Sequence, residues 1–377
     1  MVRFIHSSDW QLGMTRHFLA GEAQARFTQD RIDAVRTLGR LAREHRADFI
    51  LVAGDVFEDN KLSGQTVART LEAIAETRVP VVLLPGNHDP LDAASLFRSA
   101  AFRDPPENVI LLDDEEPRTL KGMPDVEIVG APWYSKQPSE DLVAALRDRL
   151  PPPGGRLRIA VAHGQIDSLS PELRPDTIAL DAAEAAIREG HWHYLALGDR
   201  HSVTRVGDSG SIWYSGAPEP TDFTENRSGF ALLVELARSQ MPRVTELPVG
   251  RWRFVSEQRF ANGPEDVDAL GAWLSLLPDK ARCIVRLGFE GSLNLADWSA
   301  LQALLEGYRE QFASLAQQRD GGLAVVPDAR DLDAVALSGY AGSAWVELVE
   351  AARDADDQEA RDALALFYRL ARGEARR

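Results

Sequence analysis

The sequence predicts a layered α/β sandwich, followed by a small α+β unit and a helical segment. Three observations carry this. Five strand-like apolar runs recur in the first 200 residues: "VRFIHSSD", "FILVAGDVF", "VPVVLLPGNHD", "LRIAVAHG" and "HYLALGDRH". Helix-period segments such as "RFTQDRIDAVRTLGRLAREH" and "GQTVARTLEAIAETR" lie between them, and near-continuous apolar strands alternating with helices imply a sheet buried on both faces. Three further runs, "VEIVGAPWY", "SIWYSGAP" and "GFALLVEL", follow without obvious helices between them, which predicts a second, more antiparallel sheet.

The rhythm changes near residue 250. "LARSQMPRVTELPVG" reads as the exit from the first domain. "RWRFVSEQRF" alternates with period 2, "PEDVDALGAWLSLL" reads as a helix opened by Pro264, "ARCIVRLGFEG" alternates again, and "LADWSALQALLEGYREQFASLAQQ" reads as a second helix. From Ser343 the chain reads as helix, with Trp345, Leu348 and Val349, then Leu364, Phe367 and Leu370, at helical spacings. The charged "RDADDQEARD" separates the two clusters. The predicted domains are 1–240, 250–330 and 343–377.

Composition bounds the function classes. The 377 residues are 44% hydrophobic and 27% charged, as in a globular protein with room for a sizeable core. The single cysteine, Cys283, excludes an intramolecular disulfide framework and a cysteine-rich zinc site; it reads as a small apolar strand residue. No apolar run approaches the roughly 20 residues that span a bilayer, and the N-terminus has no signal-peptide pattern, so the expectation is a cytoplasmic protein. The net charge of −16 argues against a non-specific polyanion binder. It leaves nucleic acid open, because bound divalent ions and a basic stripe can reverse the field in one cleft.

Each of the five strands ends in residues able to bind metal: Asp9 and Gln11; Asp55; Asn87, His88 and Asp89; His163; and Asp199 and His201. In open α/β sheets the carboxyl ends of strands converge on one crevice, so residues distant in sequence can meet there. An isolated Asp after a strand is usually a turn or a helix cap. Five such termini together, with mixed nitrogen and oxygen donors, point instead to a metal site.

These motifs resemble the calcineurin-like metallophosphoesterase superfamily, and more closely its DNA-repair exonuclease branch of SbcD/Mre11-like nucleases. "FIHSSDWQLG", "LVAGDVFEDNKLS" and "YSGAPEPTDFTENRSGFALLVEL" are similar to segments of that branch. The resemblance implies a four-layered sandwich of two mixed sheets flanked by helices, with an α+β cap. It implies two divalent ions, Mn²⁺ foremost with Mg²⁺ or Fe²⁺ as alternatives. One would be held by Asp9, Gln11, Asp55 and His201, the other by Asp55, Asn87, His163 and Asp199. His88 would assist departure of the leaving oxygen. The family usually has histidine where Gln11 and Asp199 stand. The exchange loses an imidazole at one ion and gains a carboxylate at the other. Three carboxylates against two divalent ions leave about +1, a set suited to harder, oxygen-preferring metals.

The resemblance further implies DNA hydrolysis, exonucleolytic and in some cases endonucleolytic, in repair or end processing. It implies an SbcC/Rad50-like coiled-coil ATPase partner docked through the C-terminal helices, and a homodimer. Arg251, Arg253 and Arg259, with Arg282 and Arg286 on the next run, are candidate phosphate contacts. Two alternatives stay open at this stage: a phosphodiesterase or phosphatase for small substrates, and a catalytically weakened scaffold that binds DNA or an ATPase.

Overall fold

The computed structural model describes residues 1–170, 172–238, 240–318, 322–326, 339–352 and 357–371. The ends of the expected 250–330 and 343–377 domains, and part of the charged run at 353–362, lie outside the described residues. The chain divides into two compact units, Met1–Trp252 and Arg253–Arg377.

The first unit has two six-stranded sheets. In one, β1 (Val2–Ser7), β2 (Phe49–Ala53), β3 (Val81–Leu84) and β4 (Val109–Leu111) run parallel, each step crossing over through helix or turn. α1 (Gly21–Glu44) and α2 (Gly64–Thr77) make the first two crossovers. The other sheet holds β5 (Arg118–Leu120), β6 (Met123–Ala131), β7 (Leu157–His163), β8 (Tyr194–Gly198), β9 (Thr204–Val206) and β10 (Ile212–Tyr214), in the order β5-β6-β7-β8-β10-β9. α3 (Leu142–Arg149) and α4 (Leu180–Arg188) connect β6 to β7 and β7 to β8. β11 (Phe230–Leu236) and β12 (Arg243–Pro248) return to the first sheet, antiparallel beside β1.

Three apolar clusters make the layers. Phe4, Phe49, Leu51 and Val82 of the first sheet share one buried cluster with Ile128, Ile159, Val161 and Ala196 of the second. Val35, Leu38 and Ile74 of α1 and α2 pack on the outer face of the first sheet, against Ile5, Ile50, Val52 and Leu83. Val143, Leu146 and Ala186 of α3 and α4 pack on the outer face of the second, against Val129, Ala160 and Leu195. The architecture is therefore helix, sheet, sheet, helix, a mixed α/β sandwich of four layers.

The second sheet corrects the expectation of a more antiparallel one: each six-stranded sheet has three parallel and two antiparallel pairings. β6, β7, β8 and β10 pair in parallel, and only the edges β5 and β9 are antiparallel. Helical crossovers between successive strands leave parallel pairing as the natural outcome. "GFALLVEL" joins the first sheet, not the second.

The second unit is a βαβαβ arrangement. β13 (Arg253–Ala261), β14 (Cys283–Leu293), β15 (Ser314–Gln317) and β16 (Leu323–Val325) are all parallel to β14, with α5 (Pro264–Leu276) and α6 (Leu295–Arg309) as crossovers. The expected helix through residue 318 stops at Arg309; "SLAQ" is drawn into β15, where Leu315 reaches the core. Cys283 is buried in β14. α7 (Tyr340–Ala351) and α8 (Gln358–Ala371) follow, and Trp345, Val349, Leu364 and Tyr368 belong to the same core cluster as Val285, Leu287 and Trp298. Among the described residues no helix is long and apolar enough to cross a membrane. Because Trp345 is core to this unit, Trp345→Ala is expected to cost about 3–5 kcal/mol of its stability, read from the denaturant midpoint.

Candidate metal centre

The first site-bearing loops leave the carboxyl ends of β1 and β2 side by side. Asp9 N–H donates to Gly54 O (3.0 Å), Gln11 N–H to Asp55 O (2.9 Å) and Leu12 N–H to Val56 O (3.0 Å). This loop-to-loop ladder forces tight turns. Asp9, Gln11, Asp55 and Asp199 all adopt left-handed backbone, with φ of 52°, 44°, 53° and 94°. Each such residue costs on the order of 1 kcal/mol or more, and persists where the surroundings over-determine it. Two glycines permit the close approach. A Cβ at Gly86 would sit 2.2 Å from Asp55 Oδ1, and one at Gly198 would sit 1.9 Å from the Ala53 carbonyl.

The seven predicted ligand residues converge at the ends of β1, β2, β3, β7 and β8. Asp9, Asp55 and His163 are buried, with donor atoms mutually within 4.8 Å. His163 Nε2 lies 2.7 Å from Asn87 Oδ1, 3.4 Å from Asp55 Oδ2 and 3.8 Å from Asp199 Oδ1. His201 Nε2 lies 3.6 Å from Asp9 Oδ1 and 3.3 Å from Gln11 Nε2. His88 Nε2 is 4.0 Å from Asp55 Oδ2, at the rim. Asp89 has a different task. Its carboxylate accepts from Gly86 N–H (2.8 Å) and Phe57 N–H (2.9 Å), which holds the turn that presents Asn87 and His88.

The imidazoles are oriented from behind. His163 Nδ1–H donates to the Ala53 carbonyl (2.9 Å) and His88 Nδ1–H to the Glu58 carbonyl (2.9 Å). A carbonyl can only accept, so in the neutral rings both Nε2 lone pairs face the cluster. His201 Nδ1 lies 2.8 Å from both Glu225 Oε1 and Thr221 Oγ1, which sets the same tautomer.

The electrostatics are those of a site built for cations. Burial pushes the Asp9 and Asp199 carboxyls up, and in each case nearby imidazoles work against it. Burial also opposes ionisation of Asp55, but His163 and His88 outweigh it and hold this carboxyl below the usual range. Burial opposes the charged form of His163 too, yet Asp55, Asp9 and Asp199 raise it well above an ordinary imidazole. His201 is pushed up to about 9 against the effect of burial, mainly by Glu225 and Asp9. Two polar atoms, Gln11 Oε1 and Asp199 Oδ2, are buried without a hydrogen-bond partner. Orphaned acceptors of this kind are costly unless something positive faces them. Three carboxylates, two amide oxygens and two imidazole nitrogens suit hard or borderline divalent ions, so the residues present fit a metal centre.

Four contributors escaped the sequence reading. Glu225 and Thr221 orient His201, and Gln165 interacts with the Asp199 carboxylate. Arg31, fully buried on α1, donates through Nη1 to Trp10 O (3.1 Å) and through Nη2 to Pro220 O (2.9 Å). It ties the Asp9–Gln11 loop to the segment that carries Thr221 and Glu225. Thr221 and Glu225 stand within the family-like segment "YSGAPEPTDFTENRSGFALLVEL", but nothing in it marks them out from their neighbours; Arg31 and Gln165 stand in no motif, and all four roles arise only when distant loops meet.

The five candidate DNA-contacting arginines do not form one patch. Arg251 precedes β13 and pairs with Asp30 (3.1 Å). Arg253 and Arg259 register with Cys283 and Phe289, on the face that carries the core, while Arg286 registers with Ser256 on the opposite face. Arg259 is engaged by Glu257 (3.1 Å) and lies over the Trp273 ring; Arg282 sits in a turn, paired with Asp279 (3.3 Å).

Since Glu225 orients His201 without reaching the cluster, Glu225→Ala is expected to weaken binding of one of two divalent ions by about 10–100-fold. Calorimetric titration, which resolves the two affinities, checks this.

A model of the calcineurin-like phosphoesterase family matches residues 2–234. The chain is 28% identical over 289 residues to the SbcD component of the nuclease SbcCD of Rhodobacter capsulatus, covering 66% of this chain and 69% of that protein. It is 25% identical over 283 residues to the SbcD component of the Escherichia coli K12 nuclease SbcCD, covering 66% and 68%. To the DNA double-strand break repair protein Mre11 of Archaeoglobus fulgidus it is 28% identical over 245 residues, covering 59% and 52%. With its strand-end donors gathered into one buried cluster and the family match spanning more than half its length, the chain belongs to the calcineurin-like phosphoesterase family.

Proposed function

We propose that the protein is a two-metal-dependent DNA nuclease that hydrolyses phosphodiester bonds, chiefly as an exonuclease, in cytoplasmic DNA repair or end processing. The observation that carries the reading is the convergence of seven donors, four of them buried and two with orphaned oxygens. The names of the related nucleases support DNA as the substrate.

Asp9, Gln11, Asp55 and His201 would hold one ion, and Asp55, Asn87, His163 and Asp199 the other, with Mn²⁺ the best match to this donor set and Mg²⁺ or Fe²⁺ the next. Bound ions of this kind neutralise phosphoryl charge and make water acidic enough to attack at neutral pH. The chain's own groups do the rest. His88, fixed through Nδ1 on the Glu58 carbonyl, turns Nε2 to the cleft and in its protonated form donates to the departing oxygen. A pocket of about 840 Å³, lined by Arg16, His88, Arg200 and His201 among others, gives the substrate room and two guanidinium groups.

The C-terminal helices would dock an SbcC/Rad50-like coiled-coil ATPase. Trp345, Val349 and Leu364 are committed to the core, so the contact face would be the exposed Val346, Leu366 and Leu370. The arginines of β13 and β14 would act only as scattered phosphate contacts.

With Mn²⁺ and end-labelled duplex or single-stranded DNA, the purified chain should release nucleotides. His88→Ala should lower kcat by about 10²–10⁴-fold while leaving Mn²⁺ stoichiometry intact. Loss of metal binding in that variant, or no cleavage of any DNA with or without an ATPase partner, overturns the reading. Gln11→His should raise the preference of one ion position for softer metals such as Zn²⁺ over Mn²⁺, measured by competitive metal titration. An unchanged preference would show that Gln11 is not a ligand.

A further inference from the structure

Two pockets meet at the metal cluster. The larger, described above, carries His88 on its wall. The smaller, about 250 Å³, is lined by Asn87, Lys136, Gln137, Arg174 and Thr177, with Trp133 at its edge. Gln165 and Asp199 line both, so they mark the seam. We propose that the smaller pocket is a subsite for one nucleotide, and that it holds the part of the substrate that keeps its phosphate after cleavage. This rests on the nuclease reading above.

The geometry of a diester carries the argument. Phosphorus bears two ester oxygens. The leaving one must face His88, which lines only the larger pocket. The retained ester oxygen then points across the seam, past Asn87 and Asp199, into the smaller pocket. In the step itself, water adds to phosphorus, the bond to the leaving sugar oxygen breaks, that oxygen takes a proton from His88, and the attacking water loses one to solvent, from which His88 is reprotonated. The phosphate-bearing product is therefore the one seated beside Lys136.

Size and chemistry agree. A volume of about 250 Å³ falls just below the roughly 300 Å³ at which pockets for drug-sized ligands begin, room for a single nucleoside and not for a strand. The lining is polar, with Lys136 and Arg174 set against the carboxylates of Asp176 and Asp199. Arg174 is held by Asp176 (2.9 Å), which fixes its guanidinium at the rim. Lys136 is exposed and has no carboxylate within ion-pair distance among the described residues, so its charge is available to a phosphate or a polar base edge. Gln137, Ser170 and Thr177 offer hydrogen bonds of either sense. Trp133 is nearly buried and donates its indole N–H to the His163 carbonyl (2.7 Å), so it walls the pocket more than it stacks a base. A subsite of this kind accepts any base and one nucleotide at a time, with the remaining strand in the larger pocket.

The test is direct binding to the full chain loaded with Mn²⁺, followed by calorimetry. The probes are thymidine 3′-monophosphate, thymidine 5′-monophosphate and inorganic phosphate. One of the two nucleotides should bind about tenfold more tightly than phosphate, a margin near 1.4 kcal/mol. Lys136→Glu should abolish the margin and Lys136→Arg should restore it. Single nucleotides should be the shortest products from labelled DNA, and Lys136→Glu should shift the products to longer fragments. Equal binding of phosphate and both nucleotides, or a margin indifferent to Lys136→Glu, overturns the subsite. Absence of DNA cleavage alongside an intact, Lys136-dependent margin would overturn the nuclease reading and leave the nucleotide subsite standing.

Discussion

Everything in the first unit answers to one constraint: several electron-pair donors are held together where they repel one another. Buried donor atoms of Asp9, Asp55 and His163 lie within 4.8 Å of one another, and Asn87, Asp199, Gln11 and His201 press on the same volume from the pocket side. Like charges this close in a poorly screened environment are costly, and only positive charge at the centre removes the cost. Protons can serve, as the raised His163 and His201 show. Divalent ions serve better, because each can be shared by several oxygens at once. The surrounding fold has to hold the donors in place against their own repulsion.

The restraints are local, rigid and redundant. Backbone hydrogen bonds lock the Asp9 and Asp55 loops together, and the Asp199 N–H donates to the Asp9 carboxylate (3.1 Å), so three ligand loops restrain one another. Arg31 adds a longer tie. Burial lowers it to about 10, with Glu219 and Glu225 pulling the other way, so it remains charged at neutral pH. Its guanidinium joins Trp10, between two ligand residues, to Pro220, just before Thr221. The Glu219 carboxylate in turn accepts the backbone N–H groups of Arg251 and Trp252, the last residues of the unit. One segment, 219–225, thus serves both the end of the unit and the orientation of His201.

What the sequence disclosed follows the same physics. The strands were legible because burial on both faces writes continuous apolar runs, and the clustered donors were legible because strand ends are where such runs stop. Pairing direction was not, because it depends on which crossover covers which face. The helix through residue 318 was misread for a related reason: "SLAQ" fits either period, and only the open edge of β14 decides it. Arg31 was invisible, and Glu225 was undistinguished within its segment, because a residue that acts through another leaves no pattern of its own.

Gln11 shows why a departure from pattern need not be a defect. A neutral imidazole fixed through one nitrogen presents a single lone pair. A carboxamide presents a donor at one end and an acceptor at the other. Here the Nε2 end lies 3.3 Å from His201 Nε2, while Oε1 is buried with no hydrogen-bond partner. The amide nitrogen thus faces the neighbouring imidazole while the side chain holds a hard oxygen in reserve. Asp199 Oδ2 is orphaned in the same way on the other side of the cluster. Both substituted positions keep a spare oxygen, and neither keeps a spare nitrogen, so the two departures act in one direction. As ligands they would move the site toward oxygen coordination beside the five other donors.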